Sequence, residues 1–232
     1  EKCEFPAAQI KEMGELGLLG MMVDEKYGGG GMDTVSYVLA MEEISKIDSA
    51  ASVVMSVNNS LVCWGLEKYG NEEQKQKYLV PLATGEYIGS FCLSEPEAGS
   101  DATSQRTTAI DKGDYYLLNG TKNWITNGSS AKYHLVIAQT SVELGHKGIN
   151  AFIVDKDSIR VYGITVAAME FVLSAYMWYM FDGNNAGMQF TEFMPIIAQY
   201  GISYNVGIDG ISLFLIIMTT FMTMISLIGL TE

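Results

Sequence analysis

The distribution of charge along the chain constrains its fold more than any other feature. All 14 Lys and Arg residues lie in residues 1–160, together with 22 of the 27 Asp and Glu residues. Residues 161–232 contain no basic residue and hold eight of the 14 methionines. A change this abrupt indicates two segments built for different solvents or of different origin.

Two runs in the C-terminal segment are long and apolar enough to cross a lipid bilayer. Residues 211–230 form 20 residues without a charge, which matches the roughly 20 helical residues that a bilayer core requires. Residues 161–181 form a second run with one charge, Glu170. Aromatic residues typical of a membrane interface lie near its end: Tyr176, Trp178 and Tyr179. The alternative is a pair of buried helices in a soluble domain.

The charges beside these runs predict their orientation. Lys156 and Arg160 precede the first run, whereas the connecting loop expected at residues 182–210 has three acids and no base. The positive-inside rule places residues 1–160 in the cytoplasm and the loop outside, with the whole chain in the cytoplasmic (bacterial inner) membrane if the tail inserts. Glu170 is expected to face a protein partner or a polar cavity.

Residues 1–86 read as helices and residues 87–158 as strands. Apolar spacing predicts helices at residues 7–19 and 34–47, Asn71 to Gln74 has the form of a capping box, and Pro81 is expected to end the helix that follows. The predicted strands lie at 87–94, 133–140 and 149–155, with a hairpin of 114–118 and 121–126 around Asn119-Gly120. The fold class is therefore α+β: a helical N-terminal part, a partial antiparallel β domain, and two apolar, transmembrane-type helices in residues 159–232.

Composition excludes several function classes. A net charge of −13 argues against nucleic acid as a partner. Two histidines, His134 and His146, cannot build a multi-histidine metal centre, and three scattered cysteines form no CxxC motif. No GxSxG nucleophile elbow is present. His134 is expected to be a packed, hydrogen-bonded residue of a strand. The carboxylates of one acidic loop are expected to be solvated: Glu95, Glu97 and Asp101.

Two segments remain unusual. The first, FCLSEPEAGSD at residues 91–101, carries small residues that let backbone amides approach an anion or a flat polar ring. The second, Trp124 to Asn127, offers an indole that can lie against an aromatic cofactor and a threonine that can donate a hydrogen bond. Each segment also fits an ordinary strand end, so the residues alone indicate no more than a planar, anionic cofactor.

FCLSEPEAGSDA followed by NGTKNWITNG resembles the flavin-binding signature of the acyl-CoA dehydrogenases. The resemblance covers residues 4–157, from GELGLLGMMVDEKYGGGGMDT to KGINAFIVDKD. It implies FAD as cofactor, acyl-CoA as substrate, desaturation between the α and β carbons, and a homo-oligomer. The positions that match cofactor contacts of the family are Phe91, Leu93 and Ser94 at the flavin ring, Gly99 and Ser100 near the FAD pyrophosphate and the acyl-CoA, Trp124 beside the flavin, and Thr126 at its N5 edge.

The resemblance also implies what these residues lack. In the family a C-terminal helical bundle supplies the catalytic glutamate and completes the FAD site, so no residue of this chain is assigned as catalytic base. Glu97 replaces a glycine of many members. The expected function is an acyl-CoA dehydrogenase-type flavoprotein fragment whose FAD site is incomplete and whose catalysis is lost.

The tail has a resemblance of its own. Residues 160–230, and GISYNVGIDGISLFL above all, are similar to the chain-M (chain-four) antiporter-like membrane subunit of proton-pumping NADH:quinone oxidoreductase. The family's proton-handling glutamate and lysine lie in later helices. Two alternatives to the flavoprotein therefore stay open: a membrane-subunit fragment of that complex, and a non-functional chimera of two gene fragments.

Overall fold

A computed structural model describes residues 4–197, 199 and 202–229, which divide into two compact units with a boundary between Lys156 and Asp157. The first unit opens with six helices: α1 (Ala7–Glu15), α2 (Thr34–Ile47), α3 (Ser49–Ser56), α4 (Trp64–Tyr69), α5 (Glu72–Gln74) and α6 (Val80–Ala83). The π-helical segments Val57–Cys63 and Lys75–Leu79 join α3 to α4 and α5 to α6. Short 3₁₀ turns cover Leu18–Gly20 and Glu25–Tyr27.

Side-chain caps determine where these helices begin. Asp33 accepts a hydrogen bond from the Ser36 N–H at 2.8 Å and starts α2, whose bounds match the prediction. Asp48 accepts from the Ala50 N–H at 2.8 Å and starts α3. The predicted capping box of Asn71 is confirmed, with both of its reciprocal hydrogen bonds to Gln74 present.

Helical backbone continues through Pro81, so the prediction that this proline ends the helix is wrong. Pro81 lies in the first turn of α6, a position that tolerates its missing N–H. The helix ends near Gly85, whose φ is +77°. A Cβ at Gly85 would lie 2.4 Å from the Gly14 Cα, so this glycine permits backbone-to-backbone packing of α1 against the end of α6.

The helices are followed by one five-stranded sheet: β1 (Gly89–Cys92), β2 (Thr108–Asp111), β3 (Tyr116–Asn119), β4 (Tyr133–Gln139) and β5 (Ile149–Asp155). The central strand β4 pairs with β5 along its whole length. On its other edge, β4 pairs with β1 and, at Gln139, with Thr108 at the start of β2. The β1–β4 and β2–β4 pairs are parallel, so the expectation of an antiparallel domain is wrong and the sheet is mixed.

The predicted hairpin around Asn119-Gly120 is also wrong. β3 instead pairs with β2, and the turn between them contains Gly113 with φ +90°. Gly120 ends β3 because the backbone there passes close to Thr107, and a Cβ would lie 2.4 Å from the Thr107 Oγ1. The strands predicted at 133–140 and 149–155 are observed as β4 and β5.

The second unit contains two long helices and one hairpin. Its elements are α7 (Lys156–Met180), β6 (Gln189–Ile197), β7 (Ile202–Ile208) and α8 (Gly210–Gly229). Both helices are long and apolar enough to cross a membrane, although crossing itself stays a prediction. The loop expected at residues 182–210 is instead largely the antiparallel β6–β7 hairpin, because aromatic and β-branched residues dominate both strands.

Candidate functional site

The two segments that the sequence singles out lie side by side. The Asn123 N–H donates to the Ser94 carbonyl oxygen at 2.9 Å. The Asn127 Nδ2 donates to the Gly89 carbonyl oxygen at 3.0 Å, at the start of β1. The end of β1 and the segment 122–127 therefore form one hydrogen-bonded surface element. The positions matched to flavin contacts at Ser94 and Trp124 are brought together by it.

A buried ion pair anchors this arrangement. The Lys122 Nζ lies 2.7 Å from the Glu95 Oε1, and the two side chains are almost fully buried. Lys122 also donates to the Leu93 carbonyl oxygen at 3.0 Å and to the Gln105 Oε1 at 3.2 Å. Its three ammonium hydrogens therefore have three protein acceptors.

Glu95 is paired rather than solvated, so that part of the acidic-loop prediction is wrong. It accepts hydrogen bonds from the Arg106 N–H at 2.6 Å and the Thr107 N–H at 3.1 Å. Burial favours the neutral acid, but the hydrogen bonds from Lys122, Thr107 and Arg106 outweigh it and lower the pKa of Glu95 to about 2. A carboxylate held ionised and fully bonded in this way is a poor proton acceptor.

The other two loop acids are exposed, as expected. Glu97 lies in a tight turn closed by hydrogen bonds between Glu95 and Ala98. Asp101 accepts hydrogen bonds from Thr103 and Ser104 at the start of the 3₁₀ turn Ala102–Ser104, and these bonds lower its pKa. Asp101 therefore caps the start of the 3₁₀ turn Ala102–Ser104.

Gly99 and Ser100 follow the tight turn between Glu95 and Ala98, and both are exposed. A Cβ built on Gly99 meets no atom within 4 Å in the part of the chain that the structure describes. The protein itself therefore does not require glycine here. Open space above the backbone is what close approach of an anion to the amides needs.

Trp124 has an unusual backbone and an unpacked side chain. Its φ is +59°, in a region that bulky residues rarely adopt, and its side chain is 93% exposed. A strained, exposed indole contributes nothing to the core, and such outliers concentrate at ligand sites. Thr126 is half-buried, and within the described residues its hydroxyl, like that of Ser94, has no hydrogen-bond partner.

An apolar cleft of about 550 Å³ lies between the helices and the sheet of the first unit. Ser60 and Leu61 of the π-helical segment and Trp64 of α4 line one wall, while Phe91 of β1 and Leu135 of β4 line the other. Phe91 thus reaches the cleft, and the half-buried Leu93 and Ser94 follow it along the chain.

His134 is a packed strand residue, as predicted. Its Nδ1 lies 2.6 Å from the Ser90 Oγ, and both side chains are buried. Burial, together with the positive charge of Lys156, lowers the pKa of His134. His146 lies apart and is exposed. Across the residues that the structure describes, no three His, Cys, Asp or Glu side chains group to hold a metal ion.

Sequence reasoning missed two residues that support the site. Lys122 belongs to a polar run with nothing to mark a buried partner. Asn58 lies in an apolar helix, yet its Nδ2 donates to the Leu19 and Leu82 carbonyl oxygens, and its Oδ1 accepts from the Gly89 N–H at 2.8 Å. The only hint was a pair of asparagines within apolar neighbours.

The chain matches two models of one protein family. Residues 1–86 match "Acyl-CoA dehydrogenase, N-terminal domain", and residues 90–177 match "Acyl-CoA dehydrogenase, middle domain". The second match runs into α7, past the end of the sheet.

Curated relatives agree with this assignment. An acyl-CoA dehydrogenase of Bacillus subtilis is 49% identical over 173 residues, which cover 75% of this chain and 45% of that protein. The human mitochondrial short-chain specific acyl-CoA dehydrogenase is 52% identical over 150 residues, which cover 65% of this chain and 36% of that protein. The chain thus spans less than half the length of these relatives.

Solved structures with similar folds carry related names. Butyryl-CoA dehydrogenase from Megasphaera elsdenii superposes with a TM-score of 0.61 at 42% identity, over 64% of this chain and 40% of that one. Glutaryl-CoA dehydrogenase from Mycobacterium smegmatis, solved in complex with FADH2, gives 0.61 at 43% identity, over 66% and 38%. Through its N-terminal and middle domains, the chain belongs to the acyl-CoA dehydrogenase family.

Proposed function

We propose that residues 4–156 form one part of the FAD site of an acyl-CoA dehydrogenase-type flavoprotein. The observation that carries the proposal is the hydrogen-bonded pairing of the end of β1 with segment 122–127. That pairing holds Ser94, Trp124 and Thr126 on one surface element while leaving the two hydroxyls without protein partners.

The residues present fit this cofactor. The hydroxyls of Ser94 and Thr126 can donate to ring heteroatoms, the exposed Trp124 indole can cover a flat ring, and the open backbone at Gly99 admits a phosphate. When bound, FAD would supply the acceptor for the hydride that leaves the acyl-CoA. The protein residues would hold and orient the cofactor.

These residues alone are not expected to complete the dehydrogenation. No carboxylate of the site is assigned as the base that removes the substrate α-proton. Glu95 is excluded from that role because it is ionised, buried and paired with Lys122. The site would be completed by the part of the relatives' chains that this chain does not cover. The acyl-CoA substrate and the homo-oligomer implied by the family remain part of this proposal.

Equilibrium binding of FAD to the full chain in mild detergent tests the proposal. Thr126→Ala is expected to weaken binding about 3- to 10-fold, since one hydrogen bond is worth roughly 0.5–1.5 kcal/mol. Thr121→Ala, at an exposed position one residue before segment 122–127, serves as the matched control and should bind as the unmodified chain does. An unmodified chain that binds no FAD ends the proposal. Equal affinity of the Thr126 variant ends only the assignment of that residue.

A second candidate function concerns residues 157–232. The two apolar helices joined by a hairpin favour a fragment of an antiporter-like membrane subunit, as the resemblance of residues 160–230 implies. Co-purification of the full chain with an NADH:quinone oxidoreductase would support it, and a chain that never associates with that complex would remove it. A chain that binds neither FAD nor membranes is the non-functional chimera.

A further inference from the structure

The two long helices of the second unit are antiparallel, and the contacts between them extend over about three turns of α7. The Phe171 and Phe221 ring centroids lie 5.4 Å apart, and the Ser174 Oγ lies 2.8 Å from the Thr220 Oγ1. Toward the other end, a Cβ on Gly163 would lie 4.0 Å from the Leu227 Cδ1. Positions rise along α7 as they fall along α8, so α7 and α8 form a helical hairpin.

Small and polar side chains take part in the contact between these helices, beside the Phe171–Phe221 ring pair. Ala167 and Ser174 of α7 are each 3% exposed, and Leu213 of α8 is 4% exposed. Ser174 also donates within its own helix, to the Phe171 carbonyl oxygen at 2.8 Å. Small residues and hydroxyl pairs at the contact are typical of helices packed within lipid.

The outer surface of the pair is large and apolar. Exposed side chains include Met169, Val172 and Leu173 on α7, and Ile211, Phe214 and Met218 on α8. A soluble protein distributes its residues in the opposite way, with such side chains inside. A continuous apolar surface of this extent requires a partner that is itself apolar.

The hydroxyls of three other threonines in α7 and α8 donate to carbonyl oxygens of their own helix. Thr165 donates to the Val161 carbonyl oxygen at 2.8 Å, Thr219 to that of Leu215 at 2.7 Å, and Thr223 to that of Thr219 at 2.9 Å. These hydroxyls therefore need no water, which is compatible with a hydrocarbon environment.

Charged residues are almost absent from the apolar parts of the two helices. α8 contains no charged residue, and between residue 161 and the end of α7 only Glu170 is charged. Lys156 and Arg160 precede the apolar part of α7, where basic groups complement the phosphates of lipid headgroups. We propose that α7 and α8 insert as a helical hairpin into the hydrocarbon core of a phospholipid bilayer, with the Ser174–Thr220 hydrogen bond inside the pair.

Cell-free synthesis of the full chain with vesicles of phosphatidylethanolamine and phosphatidylglycerol tests this proposal. The product is expected to float with the vesicles and to stay with them after alkaline carbonate extraction. Release by carbonate, or a product that stays in the aqueous phase as a dimer or an aggregate, overturns it. A soluble dimer would mean that a second copy covers the apolar surface instead.

A pair of lysine variants ties the result to the helix surface. Met218→Lys places a charge in the middle of α8 and should reduce the carbonate-resistant fraction at least about tenfold, because a lysine at the centre of a span is strongly unfavourable. Met188→Lys, at an exposed position between α7 and β6, should leave that fraction unchanged. Equal retention of both variants contradicts insertion of α8.

Discussion

Lys122 illustrates how much of the site depends on one side chain. Its ammonium group bonds Leu93, Glu95 and Gln105, and so joins the end of β1 to the loop before β2. Removing one partner of a buried ion pair costs more than the pair contributes, because the other charge is left without compensation.

Lys122→Met is therefore expected to destabilise the first unit by about 3–5 kcal/mol, as removal of one partner of a buried pair does. Thermal unfolding followed by near-UV circular dichroism measures the loss. Adding Glu95→Gln should restore part of the stability, since it removes the uncompensated charge. Lys112→Met, at an exposed position, is the control. Additive effects of the two site substitutions would contradict a coupled pair.

His134 predicts a pH dependence in the near-neutral range. Burial lowers its pKa below the ordinary value of about 6.5, so on acidification the unfolded chain takes up a proton before the folded chain does. Stability should therefore fall as the pH drops below about 6.5. Glu95 acts at lower pH: its folded pKa of about 2 means that its contribution is lost as the pH falls from roughly 5 toward 2.

Denaturant unfolding at a series of pH values checks the histidine. His134→Gln, which cannot titrate, should flatten the dependence between about pH 7 and pH 5, the range set by the ordinary histidine pKa. His146→Gln, at an exposed position, is the matched control variant. An unchanged slope in the His134 variant would assign the pH dependence to other groups.

At the scale of elements, local signals succeeded where a single segment determines its own structure. α2 has a capping aspartate and a helical apolar period, and β4 and β5 are largely apolar runs, so each was predictable by itself. The Asn119-Gly120 hairpin failed because the sequence holds two competing turn signals, and the one with Gly113 joins β2 to β3.

Other elements depend on partners that are distant in the chain. The parallel pairing of β1 with β4 joins residues more than forty positions apart, and no local period indicates its direction. The burial of Glu95 likewise requires Lys122, 27 positions later. The motifs around Ser94 and Trp124 were recognisable from the sequence, whereas the ion pair and the Asn58 bridge that support them were not.

At the scale of the whole molecule, each unit has its own organisation. The first unit contains two clusters of buried apolar side chains, which include Leu19 and Met55 in one and Leu79 and Leu82 in the other. The second unit carries its apolar residues outside. The charge boundary near residue 160 in the sequence thus falls close to the boundary between the units.

Residues 1–156 produced alone are expected to fold and to remain in aqueous solution without detergent, because both buried clusters lie within them. Size-exclusion chromatography and near-UV circular dichroism provide the measurement. The full chain under the same conditions is the comparison and should require detergent. Aggregation of the shorter chain to the same degree would show that its core is incomplete without the second unit.

The β6–β7 hairpin has a consequence for how the chain is made. Because β6 and β7 are antiparallel, the chain leaves the hairpin near the point where it entered. The end of α7 and the start of α8, which flank the hairpin, are therefore held near one another. Under the proposed insertion, this closure would make the two helices partition into the bilayer together rather than one after the other.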